Sequence, residues 1–210
     1  MGKTIYNYLP DILGSNPVIL EIGVHVGQDT KKMLALFPDS VYYGFECDPR
    51  NIATIKSSGL DSKMHLVEMA ISNFDGEGDF YQSNGTPKDH SRNNTASSSL
   101  HEPTGHLQHW PWVHFEAPIS VPVCTLDSFC KKYGVYEIDF IWADIQGAEH
   151  NMILGGQNAF KRVKYLYTEY SNKEMYAGQK GLKTLLDALP GNWDIVKDFR
   201  SDILLENKSW

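Results

Sequence analysis

The stretch VILEIGVHVGQ, residues 18–28, decides the fold. It opens with an apolar run that is too short for a helix and therefore predicts a buried strand. Two glycines follow, Gly23 and Gly27, and beyond them apolar residues return at helical spacing over residues 29–37. Strand, glycine turn and helix together predict a nucleotide-binding crossover. In such a unit Gly23 permits a tight turn with positive φ, and Gly27 lets the backbone approach a ligand closely.

The spacing of the two glycines indicates which ligand this turn binds. It reads Gly-x-x-x-Gly after the acid Glu21, whereas a dinucleotide site reads Gly-x-Gly-x-x-Gly. A carboxylate disfavours a phosphate but accepts a hydrogen bond from an ammonium group. The pattern resembles the motif that holds the amino-acid end of S-adenosylmethionine (SAM) in Rossmann-like methyltransferases. The missing dinucleotide turn counts against a first rival interpretation, an NAD-dependent oxidoreductase.

The composition predicts one soluble globular domain over residues 1–210, with 41% hydrophobic and 21% charged residues. A formal net charge of −7 counts against a nucleic-acid partner or an anionic membrane surface. No apolar stretch approaches the ~20 residues of a membrane span, and the N-terminus lacks the apolar run of a signal peptide. We therefore expect a cytoplasmic protein with free cysteines. The oligomeric state is not predicted.

Strands and helices alternate along the rest of the chain. We expect a short N-terminal helix over residues 3–14, and then βα units up to about residue 189. Two last strands, near residues 193–196 and 203–205, predict an antiparallel pair. The predicted fold class is α/β: a doubly wound, mostly parallel, seven-stranded Rossmann-like methyltransferase sheet with an antiparallel C-terminal pair and helices on both faces.

Ligands of such sheets bind beyond the carboxyl ends of the strands, where the strand order reverses. The predicted strand ends are Gly23, Glu46, Ala70, Asp144 and Glu169. Carboxylates at three of these ends predict a ligand with a cation or hydrogen-bond donors. Glu46 stands where a Rossmann-type second strand places the acid that binds ribose hydroxyls. The alternative is that Glu46 and Asp144 cap the helices that follow them.

Several segments in the same order resemble the FkbM family of SAM-dependent methyltransferases. They are residues 21–30, 44–51, 70–76, 125–128, 138–149 and 175–179. The resemblance implies transfer of a methyl group from SAM, most simply to a hydroxyl of a small-molecule acceptor such as a saccharide or another polar metabolite. It also implies a set of cofactor-binding residues: Glu21, Gly23, Val24, His25, Gly27, Gln28, Glu46, Cys47, Ala70, Ile71 and Asp144.

Two departures from the family pattern carry chemical weight. Trp142 replaces a lysine of the fourth strand, and Gln146 replaces the glutamate of an Asp-x-Glu-Gly segment. The joint loss of a cation and an anion fits a vanished ion pair, a changed acceptor pocket or lost activity. The second rival interpretation follows from this, a non-catalytic SAM-binding or interaction protein on the same fold.

An acceptor hydroxyl must lose a proton during transfer, so we expect a general base. Asp144 is the first candidate, and Glu169 and His150 are the others. Asp144 and Glu169 together are also candidates to hold a Mg²⁺ ion that polarises the hydroxyl. Alternatively, Glu169 forms a salt bridge with a nearby Lys or Arg.

Residues 84–114 show no regular period and predict a substrate lid. The histidines in it are His90, His101, His106, His109 and His114. Their spacing is not a standard zinc spacing and no cysteine joins them, so no metal is assigned. Trp110, Trp112 and His114 either stack on a sugar or aromatic acceptor or bury the lid's own apolar surface. Residues 97–100 resemble a Ser-Leu element of the family and are expected to order against the cofactor, or else to form a flexible linker.

Overall fold

A computed structural model describes residues 4–86 and 94–210. His90 of the predicted lid lies outside the described residues. The strands are β1 (Val18–Ile22), β2 (Val41–Phe45), β3 (His65–Val67), β4 (Ala70–Ser72), β5 (Gly76–Phe80), β6 (Ser83–Asn84), β7 (His114–Phe115), β8 (Ile119–Thr125), β9 (Ile138–Ala143), β10 (Val163–Glu169), β11 (Trp193–Asp198) and β12 (Asp202–Asn207). The helices are α1 (Leu9–Ile12), α2 (Gln28–Leu36), α3 (Pro49–Ser57), α4 (His106–His109), α5 (Leu126–Tyr133), α6 (Glu149–Gly155) and α7 (Leu182–Ala188).

Seven strands form the main sheet in the order β11-β12-β10-β9-β1-β2-β3. The five strands from β10 to β3 run parallel, whereas β12 pairs antiparallel with both β10 and β11. The predicted seven-stranded sheet and its antiparallel C-terminal pair are therefore confirmed. The strand order reverses between β1 and β9, so the crevice expected to bind ligands opens above these two strands.

Alternate residues of the central strands pack into two separate hydrophobic cores. Leu20 and Ile22 of β1 pack with Ile141 of β9 in one core. Ile19 packs with Phe140 in the other. Because successive side chains of a strand point to opposite faces, this division requires helices on both faces of the sheet. It also explains why the central strands are mostly apolar.

A second sheet, in the order β4-β8-β5, was not predicted as a separate unit. After β3 the chain turns at Met69, whose N–H donates to the carbonyl of Val67, and enters β4. Ala70 is therefore the first residue of a strand in the second sheet, not the last residue of the third strand of the main sheet. It still lies next to the carboxyl end of β3.

The helices largely follow the predicted signals. Asp48 caps α3 by accepting a hydrogen bond from the N–H of Arg50, and Pro49 is the first helical residue. The predicted helix over residues 3–14 is instead a 3₁₀ turn, Ile5–Asn7, followed by α1. The described parts of the predicted lid contain β6, α4 and β7. None of the described helices has the length and apolar character that crossing a membrane requires.

Candidate functional site

A cavity of about 270 Å³ opens at the carboxyl ends of β1, β2 and β9. We call it the first cavity. Of the predicted cofactor-binding residues it is lined by Gly23, Val24, His25, Gln28, Glu46, Cys47, Ala70, Ile71 and Asp144. Strand ends that are far apart in the sequence thus meet in one place, as the fold class predicts.

At Gly23 the backbone after β1 lies directly against the backbone after β9. Its φ is +96°, and a Cβ atom there would overlap the carbonyl oxygen of Asp144. The N–H of Asp144 in turn donates to the carbonyl of Ile22 at 3.0 Å. Only glycine fits this conformation and this spacing.

Glu46 presents a buried carboxylate to the first cavity. Its Oε2 accepts a hydrogen bond from the N–H of His25 at 2.7 Å, and its Oε1 accepts from the N–H groups of Cys47 and Asp48 at 2.9 and 2.8 Å. Burial raises its pKa to about 7, although the three backbone donors lower it. Since the N-cap of α3 is Asp48, Glu46 does not cap that helix. A carboxylate has about four acceptor positions, so Glu46 retains capacity for a ligand hydroxyl.

His25 joins the turn after β1 to the described part of the predicted lid. Its Nε2 lies 2.8 Å from the hydroxyl oxygen of Thr95, which donates to Oδ1 of Asn51 at 2.8 Å. Burial lowers the pKa of His25 below its ordinary value of 6.5. Beyond Thr95, the residues of the Ser-Leu segment that line the first cavity are Ser98, Ser99 and Leu100. This segment therefore lines the same cavity as most of the predicted cofactor-binding residues.

Two predicted cofactor residues, Glu21 and Gly27, do not line the first cavity. Glu21 is 2% exposed and accepts hydrogen bonds from the hydroxyls of Thr30, at 2.5 Å, and Tyr42, at 2.7 Å. Burial raises its pKa to about 8. Gly27 caps α2 with a φ of +77°, and a Cβ atom there would overlap the side chain of Leu60. Both residues contribute to the packing of β1 and α2 and do not contact the cavity.

Asp144, Gln146 and Glu169 form a cluster at one end of the first cavity. The amide nitrogen of Gln146 donates to Oδ1 of Asp144 at 2.7 Å and to Oε2 of Glu169 at 2.8 Å. Burial and the negative charge of Asp144 raise the pKa of Glu169 far above its ordinary value. Glu169 therefore holds a proton at neutral pH.

The loop after β9 holds Gln146 in place. Its φ is +52°, its carbonyl accepts from the hydroxyl of Ser99 at 2.8 Å, and its Oε1 lies 3.0 Å from the hydroxyl of Tyr176. Glu149 accepts hydrogen bonds from the neighbouring N–H groups of Ile145 and Gly147. The substitution from the family pattern is thus part of an ordered network. No ion pair to Glu169 occurs within residues 4–86 and 94–210.

A second cavity, of about 440 Å³, lies beside this cluster and shares Gln146 with the first cavity. The other residues that line it are His106, Trp110, Glu169, Tyr170, Ser171, Asn172, Lys173, Met175, Tyr176, Gln179, Arg200 and Ser201. Of the aromatic residues predicted to stack on an acceptor, Trp110 lines this cavity, whereas Trp112 and His114 do not.

The structure separates His150 from the acid pair. His150 lies in the first turn of α6, outside the lining of both cavities, and burial and the charge of Lys180 lower its pKa. In the predicted lid, both ring nitrogens of His101 are engaged, by the carbonyl of Ala177 at 2.6 Å and the amide nitrogen of Asn151 at 3.2 Å. The described residues contain no group of three or more His, Cys, Asp or Glu side chains placed to hold a metal ion.

Trp142, the other departure from the family pattern, lines the first cavity and packs among aromatic rings. Its ring centroid lies 4.7 Å from that of Tyr167 and 5.7 Å from that of Tyr6. Tyr6 belongs to the N-terminal 3₁₀ turn and donates a hydrogen bond to Asp29, which also lines the first cavity. The tryptophan thus connects the N-terminal segment to the wall of the site.

Comparison with known proteins gives the family. The sequence profile of the Methyltransferase FkbM domain matches residues 21–199. The chain belongs to the FkbM family of methyltransferases. It is 40% identical over 197 residues to the 2-O-methyltransferase NoeI of Sinorhizobium fredii (strain NBRC 101917 / NGR234), and the match covers 91% of this chain and 80% of that protein. The resemblance noted in the sequence is therefore confirmed, and this FkbM-family protein is a SAM-dependent methyltransferase.

Solved structures support the fold of this FkbM-family chain. The methyltransferase FkbM from Methylobacillus flagellatus KT superposes with a TM-score of 0.53 at 12% identity, covering 96% of this chain. This chain spans only 47% of that protein. A putative rRNA-methylase from Clostridium thermocellum gives a TM-score of 0.53 at 11% identity, with 96% of this chain and 90% of the other covered. At such low identity these likenesses show the fold alone.

Sequence reasoning did not assign a role to several residues of the site. Asn51 and Thr95 line the first cavity, and His106, Tyr176 and Arg200 line the second. Gln146 carried a signal, as a departure within a recognised segment. Asn51 and Tyr176 also lie within segments that resemble the family, whereas Thr95, His106 and Arg200 lie outside them and reach the site through long-range packing.

Proposed function

We propose that this FkbM-family methyltransferase transfers the methyl group of SAM to a hydroxyl group of a sugar or another small polar metabolite. When bound, SAM supplies an electrophilic methyl group on its sulfonium. The observation that carries the proposal is the junction of the two cavities at Gln146, where Asp144 and Glu169 meet. A cofactor in one cavity and an acceptor in the other would meet beside a carboxylate.

The donor set of the first cavity fits SAM. Glu46 offers a buried carboxylate for a ribose hydroxyl. Ile71, Phe80 and Leu100 give the neighbouring wall an apolar character that suits an adenine ring. Gly23, whose backbone lies against that of Asp144, also lines the cavity and is the residue we propose for the amino-acid part.

The acid pair provides a place for the proton of an acceptor hydroxyl. Because the pKa of Glu169 is raised, Glu169 keeps its own proton and is a poor base. Asp144 is exposed to the first cavity, and its Oδ1 accepts a hydrogen bond from the amide nitrogen of Gln146. These features support Asp144 as the general base. Its contact with SAM remains a compatible second role.

The second cavity supports a polyhydroxylated acceptor. Its wall combines aromatic rings, such as Trp110 and Tyr176, with amide groups of Asn172 and Gln179. Pockets that select small ligands pair an apolar surface with a few placed polar groups in this way. The relative NoeI is a 2-O-methyltransferase, which supports oxygen as the atom that is methylated. We also infer that residues 94–114 act as the described part of a lid, since they contribute to both cavities.

Transfer of radioactive methyl from labelled SAM to a panel of methyl glycopyranosides tests this function. We expect labelled methyl ethers from at least one glycoside, and none from its fully O-methylated form. The role of Mg²⁺ is tested in the same assay by adding EDTA or MgCl₂. SAM binding without transfer to any hydroxyl compound would favour the non-catalytic alternative. Transfer that occurs equally with the fully O-methylated glycosides would contradict an oxygen acceptor.

A further inference from the structure

His106 is the most unusual polar side chain of the second cavity. It is 3% exposed, and its Nδ1 atom is buried without a hydrogen-bond partner in the described part of the chain. A buried polar atom left unpaired costs about 1–3 kcal/mol, so such atoms in native proteins generally meet a ligand or a water molecule. The imidazole also lines the second cavity.

Aromatic rings hold this imidazole in place. The ring centroids of Trp110, Phe115 and Tyr176 lie 4.7, 5.4 and 5.5 Å from that of His106. The backbone N–H of His106 donates to the carbonyl of Met175 at 3.1 Å, which fixes the start of α4 against the segment after β10. A ring packed on several sides keeps one orientation, which lowers the entropic cost of binding a ligand.

The charge state of the imidazole suits a hydroxyl group. Burial, with a smaller contribution from His109, lowers the pKa of His106 below 6.5, so that the ring is neutral at pH 7. A neutral imidazole has one N–H donor and one nitrogen acceptor, and a hydroxyl group both donates and accepts. A carboxylate or phosphate ligand would instead favour a protonated ring.

The neighbouring ring of Trp110 supplies an apolar surface at the same wall. Trp110 is 43% exposed, lines the second cavity and is tilted by 38° from the plane of His106. A pyranose has an apolar C–H face and a rim of hydroxyls, and a half-exposed indole beside a polar edge matches both features.

We propose that His106 hydrogen-bonds a ring hydroxyl of a pyranose acceptor whose apolar face lies on Trp110. The inference rests on the proposed function, since it assigns the acceptor of the same site. Tyr176 connects His106 to the acid pair. Its ring packs against that of His106, and its hydroxyl lies 3.0 Å from Oε1 of Gln146, which bridges Asp144 and Glu169. His106 therefore selects and orients the acceptor, while the proton goes to the acid pair.

Binding of methyl glycopyranosides, measured by saturation-transfer NMR on the protein loaded with S-adenosylhomocysteine, tests the inference. The His106→Phe variant keeps a ring in the aromatic surroundings but removes both nitrogens. We expect it to weaken binding of the best glycoside by about tenfold, the upper range for one neutral hydrogen bond. His106→Gln, which restores a donor and an acceptor, should recover part of the loss. His109→Phe makes the same change on the exposed side of α4 and should bind the glycoside as wild type does.

Calorimetry with SAM separates this inference from the proposed function. All three variants should bind SAM with wild-type affinity, because neither histidine lines the first cavity. Equal glycoside affinity of His106→Phe and wild type would overturn the inference, and so would a wild type that binds SAM but no glycopyranoside. Glycoside binding that depends on His106 without any methyl transfer would contradict the proposed function and leave the acceptor subsite standing.

Discussion

Replacing the two members of the acid pair one at a time should have unequal effects on catalysis. Asp144→Asn keeps an oxygen that can accept the hydrogen bond Gln146 now donates at 2.7 Å, but it removes the negative charge. Glu169→Gln replaces a protonated carboxyl by a neutral amide of the same shape, which also carries a donor and an acceptor. The first change removes the proposed base, whereas the second preserves the state that the raised pKa of Glu169 already imposes.

General bases contribute about 10²–10⁴-fold to a rate, and we expect kcat of Asp144→Asn to fall by that factor. Glu169→Gln changes neutral hydrogen bonds only and should lose less than about tenfold. In wild type, rising pH removes the proton of Glu169 and places a second negative charge beside Asp144, so the rate should decline at alkaline pH. Glu169→Gln should lack this decline.

Methyl transfer at saturating SAM and glycoside, followed from pH 6 to 10, measures both effects. SAM affinity of each variant serves as the control for an intact site. Equal losses in the two variants would refute the assignment of roles, and a larger loss in Glu169→Gln would make Glu169 the base. An unchanged alkaline decline in Glu169→Gln would show that another group titrates there.

The glycine turn and the buried acid behind it give two further predictions. Gly23→Ala should abolish SAM binding in calorimetry, because its Cβ would overlap the carbonyl of Asp144. The control is Gly59→Ala, at a glycine with a φ of +71° and no neighbour within 4 Å of an added Cβ. It should bind SAM normally and lose only about 1–2 kcal/mol of stability. Between pH 4.5 and about 8, Glu21 keeps a proton in the folded state that it has already lost in the unfolded chain. The raised pKa therefore makes the free energy of unfolding fall with rising pH by up to about 1.4 kcal/mol per pH unit. Urea unfolding from pH 5 to 8 should show a flatter dependence for Glu21→Gln, and an unaltered slope would refute the raised pKa.

Patterns that are local in the sequence predicted the main sheet well. The apolar run before Gly23 gave the central strand, and the Asp48-Pro49 pair gave the start of α3. The second sheet was missed because β4 has only three residues and pairs with β8, whose residues lie about fifty positions further along the chain. No local pattern specifies such a pairing.

Some residues predicted for the site line the two cavities and others do not, for physical reasons. Glu46 and Asp144 end strands, so the fold class alone brings them together. Glu21 sits one residue before such an end and shares the face of Ile19, which turns its carboxylate toward Tyr42 and away from the cavity. His150 was a candidate general base because histidine has a pKa near neutrality. That property does not depend on where the residue lies, and on α6 it lines neither cavity. The second cavity depends on α4 and on the turn at Arg200, whose positions follow only from the folded chain.

Isothermal titration of the purified protein with SAM tests the central claim, that the first cavity is a SAM site organised by Glu46. We predict micromolar binding, on the order of −8 kcal/mol, and no binding of NAD. Glu46→Gln should weaken binding at least tenfold, whereas Glu68→Gln, the same change in a surface ion pair with Lys56, should not. Thermal unfolding of both variants checks that the fold is kept. A folded wild type that does not bind SAM, or a Glu46→Gln variant that binds it as tightly as wild type, would contradict the account.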